Sequence, residues 1–275
     1  MNPIKIIATD LDGTLLDADM EVSRENAEAI HRLNARGIAV VPCTGRTYFD
    51  IPEAARNHPD IRYVAYSNGS VIYDKQTDTC ERRCLTSDQT ARILNIIGDY
   101  SHFIVVHHEG HSFLDAAEQT EEIRDFNRVS PYFCAAYDAV SIPTPDLRAE
   151  LRRMDNTEMI LAFFHDDSEL LACKSRLEAI GDLRIAQSHA YNLEIFSSRA
   201  GKGNAIKQLA GMLGAEIGQV AAVGDSINDL SMILAAGLGL ATANACDTLK
   251  DASDAVICSN QEHVIPYIEA HYCAD

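Results

Sequence analysis

The chain predicts an α/β fold, a Rossmann-like parallel-sheet core interrupted by an inserted α+β domain. Three observations carry that expectation. Short apolar runs of strand length alternate with capped, helix-like stretches over the first third of the 275 residues and again over the last third. Between them the rhythm changes to helices mixed with alternating stretches. Two carboxylates, Asp10 and Asp12, stand where the first apolar run ends, the place where parallel sheets of α/β proteins present their ligand crevice.

The first strand is expected over residues 4–9, and Asp12-Gly13 just beyond it is a turn signal. Ser23 is placed to cap a helix that runs to Arg36 and stops at Gly37. Residues 38–41 read as the next strand, ending in Pro42-Cys43-Thr44-Gly45-Arg46. A helix through Phe49 to Arg56 and a strand over 62–66, ending in Ser67-Asn68-Gly69, complete the first stretch. Such repetition with short links implies right-handed crossovers and parallel strands, so the ends at Asp10, Thr44 and Asn68 are expected on one rim. The last third reads as a helix over 202–213, a strand over 219–223 and a helix over 227–236 ended by Gly237. Short strands over 238–241 and 255–258 and a closing helix over 261–272 follow.

Residues 1–83 and 191–275 are thereby assigned to the core and 84–190 to the insert. Within the insert, helices over 87–97 and 168–180 accompany strand-like stretches at 103–106, 159–163 and 184–187. Ile142-Pro143-Thr144-Pro145 reads as a rigid internal loop, Glu109-Gly110 as a hairpin tip, and the acidic run 118–125 as a solvated helix face.

Composition narrows what the protein can bind. Twenty-three basic and 41 acidic residues give a formal charge of −18, which suits neither nucleic acid nor an anionic membrane surface. An anionic small molecule stays open, because local cations or a bound metal can invert the field in one pocket. The eight cysteines are scattered without a Cys-x-x-Cys pair, which argues against a zinc site or disulfide framework and for free thiols in a reducing cytosol. The first apolar stretch runs straight into Asp10, unlike a signal peptide, and the longest, over 232–241, is too short to span a bilayer. A soluble, cytoplasmic protein is expected.

Two adjacent acids at a buried strand end are costly unless they do chemistry or share a cation. Val223-Gly224-Asp225-Ser226-Ile227-Asn228-Asp229-Leu230 is a second strand end carrying two more. Asp225 and Asp229 lie four apart, where like charges on one helix face repel by a few tenths of a kcal/mol. The plainer reading is that Asp225 or Ser226 caps the helix. Taken with Asp10 and Asp12, the acids form the oxygen-only shell of a hard cation, and magnesium fits best. In Gly201-Lys202-Gly203, a lysine in the first helical turn opposes the helix dipole and asks for a nearby anion, unless it is a solvated surface lysine. Phe196, where the pattern wants glycine, excludes a Walker A loop there. Thr44-Gly45 offers a hydroxyl and a bare N–H to phosphate oxygens, or serves as a turn with Thr44 or Thr47 as helix cap.

Taken in order, Asp10-Leu11-Asp12-Gly13-Thr14, Thr44, Lys202 and Gly224-Asp225-x-x-Asn228-Asp229 resemble the four motifs of the haloacid dehalogenase superfamily. Thr44-Gly45-Arg46, Ser67-Asn68-Gly69 and Leu193-Glu194-Ile195 ahead of Lys202-Gly203 agree with it. Length and the position of the insert resemble its Cof-type branch, subfamily IIB, with a C2B cap. The resemblance implies a phosphatase in which Asp10 attacks phosphorus to form an aspartyl-phosphate. Asp12 would give a proton to the leaving oxygen and then take one from water, for which burial or neighbouring carboxylates must keep it protonated near neutral pH. Asp10, the carbonyl of Asp12 and Asp225 would hold Mg2+ with Asp229 in support, while Thr44, Gly45 and Lys202 neutralise the phosphoryl oxygens. Asn228, Arg46 and Asn68 would support the site. The implied partner is a small phosphorylated metabolite, a sugar phosphate first, then cofactors such as pyridoxal phosphate or flavin mononucleotide. A phosphomutase is the alternative enzyme and a phosphometabolite-binding regulator the non-catalytic one, against which both Asp10 and Asp12 are kept. Monomer and homodimer stay equally open.

The chain departs from the branch at Thr242-Ala243-Asn244-Ala245, which stands for Met-Gly-Asn-Ala, at His263 in place of a glycine, and at Gly201 where serine is common. None of these touches the four motifs, so they bear on the substrate more than on the reaction. His107-His108-Glu109-Gly110-His111 is one residue short of a His-Glu-x-x-His metal helix and lies between strand-like runs. His107, His108 and His111 are expected instead to line the substrate's leaving group, so that His108→Ala changes substrate ranking and spares a small generic phosphate ester.

Overall fold

A computed structural model describes residues 3–100, 102–188 and 190–273. The chain forms two compact units: Met1–Arg46, Ile51–Glu81 and Gly201–Asp275 make one, and Thr47–Asp50 with Arg82–Ala200 make the other. The first stretch runs β1 (Ile6–Thr9), α1 (Arg24–Ala35), β2 (Ala39–Pro42), α2 (Glu53–Arg56), β3 (Tyr63–Tyr66), β4 (Val71–Asp74) and β5 (Thr79–Arg82). The inserted stretch runs α3 (Ser87–Ile97), β6 (His102–His108), β7 (His111–Asp115), α4 (Glu121–Phe126), α5 (Pro131–Val140), β8 (Ile142–Thr144) and α6 (Leu147–Leu151). It continues through β9 (Met159–Phe164), α7 (Asp167–Glu178), β10 (Leu183–Ala186) and β11 (Asn192–Ser197). The chain then returns through α8 (Lys202–Met212), β12 (Val220–Gly224), α9 (Leu230–Ile233), β13 (Leu238–Ala241), α10 (Asp247–Ala252), β14 (Ala255–Val256) and α11 (Val264–Tyr272).

The core sheet has the order β14-β13-β12-β1-β2, and all its pairings are parallel. β1 lies inside it with no side chain exposed, as expected of a parallel strand covered on both faces. Thr9 is in register with both Pro42 and Val223. The segments beginning at Asp10, Cys43 and Gly224 therefore leave the sheet side by side, and this register assembles the site. On one face α8 and α9 pack with Ile6, Ala8, Val41, Val220 and Ala222 through Ile206, Leu209, Met232 and Ile233. The α8–α9 approach requires Gly203, where an added Cβ would lie 2.3 Å from the Ser231 carbonyl oxygen.

The inserted unit is built on a second sheet, β10-β11-β9-β6-β7-β8, antiparallel except for β7 with β8. Successive strand residues point to opposite faces. Ile104, Val106, Ile160, Ala162 and Phe164 thus meet α3, α6 and α7 through Ile93, Leu94, Leu151 and Leu177. Phe103, Val105, Leu161 and Phe163 meet α4 and α5 through Ile123, Phe133 and Tyr137.

Several expectations are corrected. The helix expected over 49–56 shortens to Glu53–Arg56, because Pro52 occupies its N-cap and cannot continue a helix from before it. β3 is joined to β2 by the isolated parallel bridge Cys43↔Ala65 and pairs antiparallel with β4, so it is no full member of the parallel sheet. The 227–236 helix splits into a tight turn at Ile227–Asp229 and the short α9. The closing helix starts only at Val264, after His263 enters the left-handed region at φ 65°. Ile142–Thr144 is an edge strand on β7 instead of a loop; an edge needs ladder bonds on one side only and so admits Pro143. The acidic run also divides. Glu121, Glu122 and Asp125 are exposed, but Glu118 is half-buried against Arg148. The β4–β5 hairpin and α10 have no counterpart in the sequence reading. Among the described residues no helix is long and apolar enough to cross a membrane, and the eight cysteines are free.

Candidate active site

The site of the first unit is built where β1 ends. The Asp10 amide donates to the Val223 carbonyl (3.0 Å), and the chain then makes one wide turn closed by Leu15 N to Asp10 O (3.3 Å) and Leu16 N to Leu11 O (2.9 Å). Gly13 lies in that turn at φ 71°, and an added Cβ there would sit 2.5 Å from Asp225 Oδ2. Glycine is required twice over at this position, by backbone angle and by the close passage of the Asp225 carboxylate.

Lys202, in the first turn of α8, is buried with its ammonium between two carboxylates. Its Nζ donates to Asp10 Oδ1 at 2.7 Å and to Asp229 Oδ1 at 2.6 Å. The anion that its place on the helix dipole asked for is thus supplied internally. Asp229 is fully buried, and its other oxygen accepts from the amides of Asp225 (3.0 Å) and Ser226 (3.1 Å). Capping and electrostatic readings of this motif therefore coexist in one side chain. Oxygens of Asp10, Asp225 and Asp229 lie within 4.8 Å of one another.

The Asp12 side chain lies outside that cluster. It is 40% exposed and forked by Arg46, with Nη2 to Oδ1 at 2.7 Å and Nε to Oδ2 at 2.8 Å. Burial or neighbouring carboxylates were the surroundings expected for a proton donor; a bidentate guanidinium is the one observed. Thr44 is buried at the end of β2: its amide donates to Ala65 O (2.9 Å), its carbonyl accepts from Asn68 N (2.9 Å), and its hydroxyl accepts from Arg46 N (3.1 Å). Thr44 and Asn68 thus still meet although β3 has left the sheet. A Cβ on Gly45 would lie 3.3 Å from Asn68 Oδ1 and 3.9 Å from Asn228 Nδ2, which brings both asparagines to the same loop. Asn228 Oδ1 accepts from the Ser226 hydroxyl at 2.5 Å.

Sequence reasoning gave no role to three further asparagines that hold the Asp12 turn. Asn244 Nδ2 donates to Gly13 O (2.8 Å) and its Oδ1 accepts from Asn260 N (3.0 Å), while Asn260 Nδ2 donates to Leu16 O (2.9 Å). Buried Asn26 donates to Leu15 O (3.2 Å) and accepts from Ile265 N (3.1 Å). The sequence signal was Asn244 standing among altered neighbours.

Electrostatics follow from crowding carboxylates around one ammonium. Burial raises the Asp10 carboxyl well above its usual range, the charges of Asp229 and Asp12 add to this, and Lys202 opposes it. Burial and Asp229 push Asp225 up to about 6. Burial disfavours the Lys202 ammonium, but Asp10 and Asp229 outweigh it and hold the lysine above its ordinary range. Burial also pushes the neighbouring Cys43 thiol up to about 12, so it is neutral filling. Three acids sharing one lysine carry an excess of negative charge, and an oxygen-only donor set suits a hard divalent cation. The residues present therefore fit Mg2+.

The three histidines belong to the inserted unit. His107 is buried on β6, in register with Ser112 and Met159, and burial holds its imidazole down to about 4 although Asp50 opposes this. The Ser112 hydroxyl donates to Asp50. His111 stacks on Phe49 with centroids 4.1 Å apart, and His108 lies 6.3 Å from the Phe113 ring. Glu109 and Gly110 form the expected hairpin tip with φ 49° and 76°. His165, Asp166 and Glu169 make a second group of possible ligands, at the N-terminus of α7, where the helix dipole opposes a cation.

The profile of the haloacid dehalogenase-like hydrolases matches residues 7–268. The Bacillus subtilis phosphatase YwpJ is 31% identical, over 98% of this chain and 99% of its own. The B. subtilis 5-amino-6-(5-phospho-D-ribitylamino)uracil phosphatase YwtE is also 31% identical, over 96% of each. A sugar phosphatase of haloacid dehalogenase subclass IIB superposes with a TM-score of 0.81 over 98% of this chain and all of its own, and at 17% identity it is a likeness of fold. A parallel core with an α+β insert, together with a family match over nearly its whole length, leads to one conclusion: the chain belongs to the haloacid dehalogenase-like hydrolases.

Proposed function

We propose that this protein is a Mg2+-dependent phosphatase of small phosphomonoesters, sugar phosphates first, working through an aspartyl-phosphate on Asp10. The observation that carries the reading is the buried Lys202 bridge between Asp10 and Asp229. It commits Oδ1 of Asp10 and leaves Oδ2 as the attacking oxygen. Binding alone needs no such arrangement, since an ammonium meant only for phosphate would not be spent on two carboxylates.

In the first step the Asp10 oxygen bonds to phosphorus and the bond from phosphorus to the ester oxygen breaks; that oxygen takes the proton of Asp12. In the second, water attacks phosphorus and gives a proton to Asp12, phosphate leaves, and the Asp10 carboxylate is restored. Asp12 cannot donate while forked ionically to Arg46, so the incoming phosphoryl group must draw the guanidinium away. Lys202, Thr44 and the Gly45 amide are the donors for the phosphoryl oxygens, where most catalysis of this reaction originates. Asp10, Asp225 and the Asp12 carbonyl would hold the Mg2+, with Asp229 orienting them, and the cation would neutralise charge on the phosphoryl group.

The inserted unit is the cap that selects the leaving group, with His108 and His111 as candidate determinants; His107, expected with them from the sequence, is buried on β6 and so cannot line a substrate. YwtE acts on a phosphorylated ribityl chain, a group that flavin mononucleotide also carries, which favours sugar- and polyol-type phosphates, flavin mononucleotide among them, over pyridoxal phosphate for this chain as well. The free thiols agree with a cytoplasmic setting. The test is phosphate release across a metabolite panel, with Mg2+ and with EDTA, for wild type and Asp10→Asn. We expect release with Mg2+ only and a loss of about 10³-fold or more in the variant. Release that survives either change contradicts the mechanism, and an isomerised sugar phosphate without free phosphate identifies a phosphomutase.

A further inference from the structure

Directly after Arg46 the chain changes units: residues up to Arg46 belong to the first, and Thr47–Asp50 belong with Arg82–Ala200. Each side of that junction is held on its own. On the first side Thr44 donates to Ala65 O and accepts from Asn68 N, and Arg46 O accepts from Ser67 N at 2.8 Å. On the other side residues 48–50 form a strap fastened to the tip of the β6–β7 hairpin. Phe49 N donates to Gly110 O at 3.0 Å, and its ring stacks on His111 with the planes 15° apart. Asp50 accepts from the buried Ser112 hydroxyl. Gly110 permits this approach. It lies at φ 76°, and an added Cβ would come 3.2 Å from Tyr48 Cβ.

Glu158 holds the same tip from within the inserted unit. It is only 1% exposed; Oε1 accepts from Gly110 N at 2.9 Å, and its own amide donates to His107 O at 2.9 Å. Both backbone polar groups of Gly110 are thereby taken, the N–H by a buried carboxylate and the C=O by the strap. Backbone groups at an ordinary hairpin tip turn to water instead. The fold alone does not ask for more, because the β6–β7 ladder is already closed by the His108↔His111 pair. A buried carboxylate is costly unless it is hydrogen-bonded. Committing one to a hairpin tip marks the placing of that tip as what matters.

We propose that Glu158 and Ser112 are positioning residues for substrate selection. Acting through Gly110 and Asp50, they fasten the segment that follows Arg46 to the hairpin bearing His108 and His111. Resting on the reading of those two histidines as leaving-group determinants, this assignment makes the strap a fixed spacer instead of a slack loop. It joins Thr44, Gly45 and Arg46 to the residues that meet the leaving group. Glu158 and Ser112 are themselves buried and act only through the strap. The phosphate loop keeps its own bonds to Ala65, Ser67 and Asn68, so loosening the strap misplaces the hairpin and spares the chemistry.

The test compares full-length wild type, Ser112→Ala, Glu158→Ala and Glu158→Gln on two kinds of ester. One is phenyl phosphate, whose leaving group offers the cap no further polar group; the others are the sugar phosphates that wild type hydrolyses. In both alanine variants kcat/KM should fall about tenfold on sugar phosphates and stay within about twofold of wild type on phenyl phosphate. Glu158→Gln keeps an acceptor for Gly110 N and should recover most of the loss. Amide exchange reads the strap without turnover: Phe49 N should exchange faster in both alanine variants, while Thr44 N and Arg46 N keep their protection. Ser112→Ala removes one hydroxyl only, so it carries the test if Glu158→Ala does not fold. Equal losses on both kinds of ester, an unchanged preference for sugar phosphates, or unchanged protection of Phe49 N would overturn the proposal. A wild type that hydrolyses phenyl phosphate and sugar phosphates alike to no extent would instead remove the phosphatase reading, and the proposal with it.

Discussion

At the residue scale the site is a problem of charge. Asp10, Asp225 and Asp229 crowd one buried ammonium, and burial with Asp229 already pushes Asp225 up to about 6. An acid whose folded pKa is raised makes the metal-free fold less stable as pH rises through that value. At neutral pH without metal, Asp225→Asn should therefore raise stability by about 1–3 kcal/mol. The same variant should lose the Tm increase that Mg2+ gives wild type. Unfolding curves with Mg2+ and with EDTA check both, and a variant still stabilised by Mg2+ as strongly as wild type would remove Asp225 from the metal shell. The carboxylate cluster itself was legible in the sequence, because Asp10, Asp225 and Asp229 announce themselves by type and by position at strand ends. The Arg46 fork on Asp12 and the asparagine ties were not. They join residues 34 and 231 positions apart, and no local pattern encodes such pairs.

At the element scale, prolines account for two misread segments. Pro52 ends what looked like a longer helix, and Pro143 sits in a strand that only an edge position permits. Helix α3 spans the residues expected for it, and in the structure Thr86 and Gln89 form a capping box at its start. β3 was misjudged because a short, wholly buried run cannot reveal which neighbour it pairs with. His107 on β6 supplies a prediction at this scale. Burial holds its imidazole down to about 4 in the folded state, against an ordinary 6.5. A base so lowered contributes stability that is complete above 6.5 and is lost as pH falls toward 4, about 2 kcal/mol of it by pH 5. Urea titrations of wild type and His107→Leu at pH 7 and pH 5 should show the variant losing about 2 kcal/mol less on acidification. Equal losses would mean that His107 is solvated or charge-paired in the folded protein.

At the scale of the whole molecule, each unit carries its own sheet and its own apolar cores. The proposed metal residues all belong to the first unit. Hydrogen exchange with and without Mg2+ should therefore show protection gained over residues 7–16 and 220–230, with the inserted unit's sheet unchanged. Protection confined to the inserted unit would place the cation elsewhere, for example at His165, Asp166 and Glu169. The central claim is covalent and concerns one atom, an oxygen of Asp10. Its most direct test is an acid quench of the enzyme during turnover of a hydrolysed phosphate ester, followed by peptide mapping. The account predicts a phosphoryl group on the peptide containing Asp10, removed by hydroxylamine and absent from Asp10→Asn. A phosphoryl group on another residue, or full phosphate release by Asp10→Asn, would contradict it.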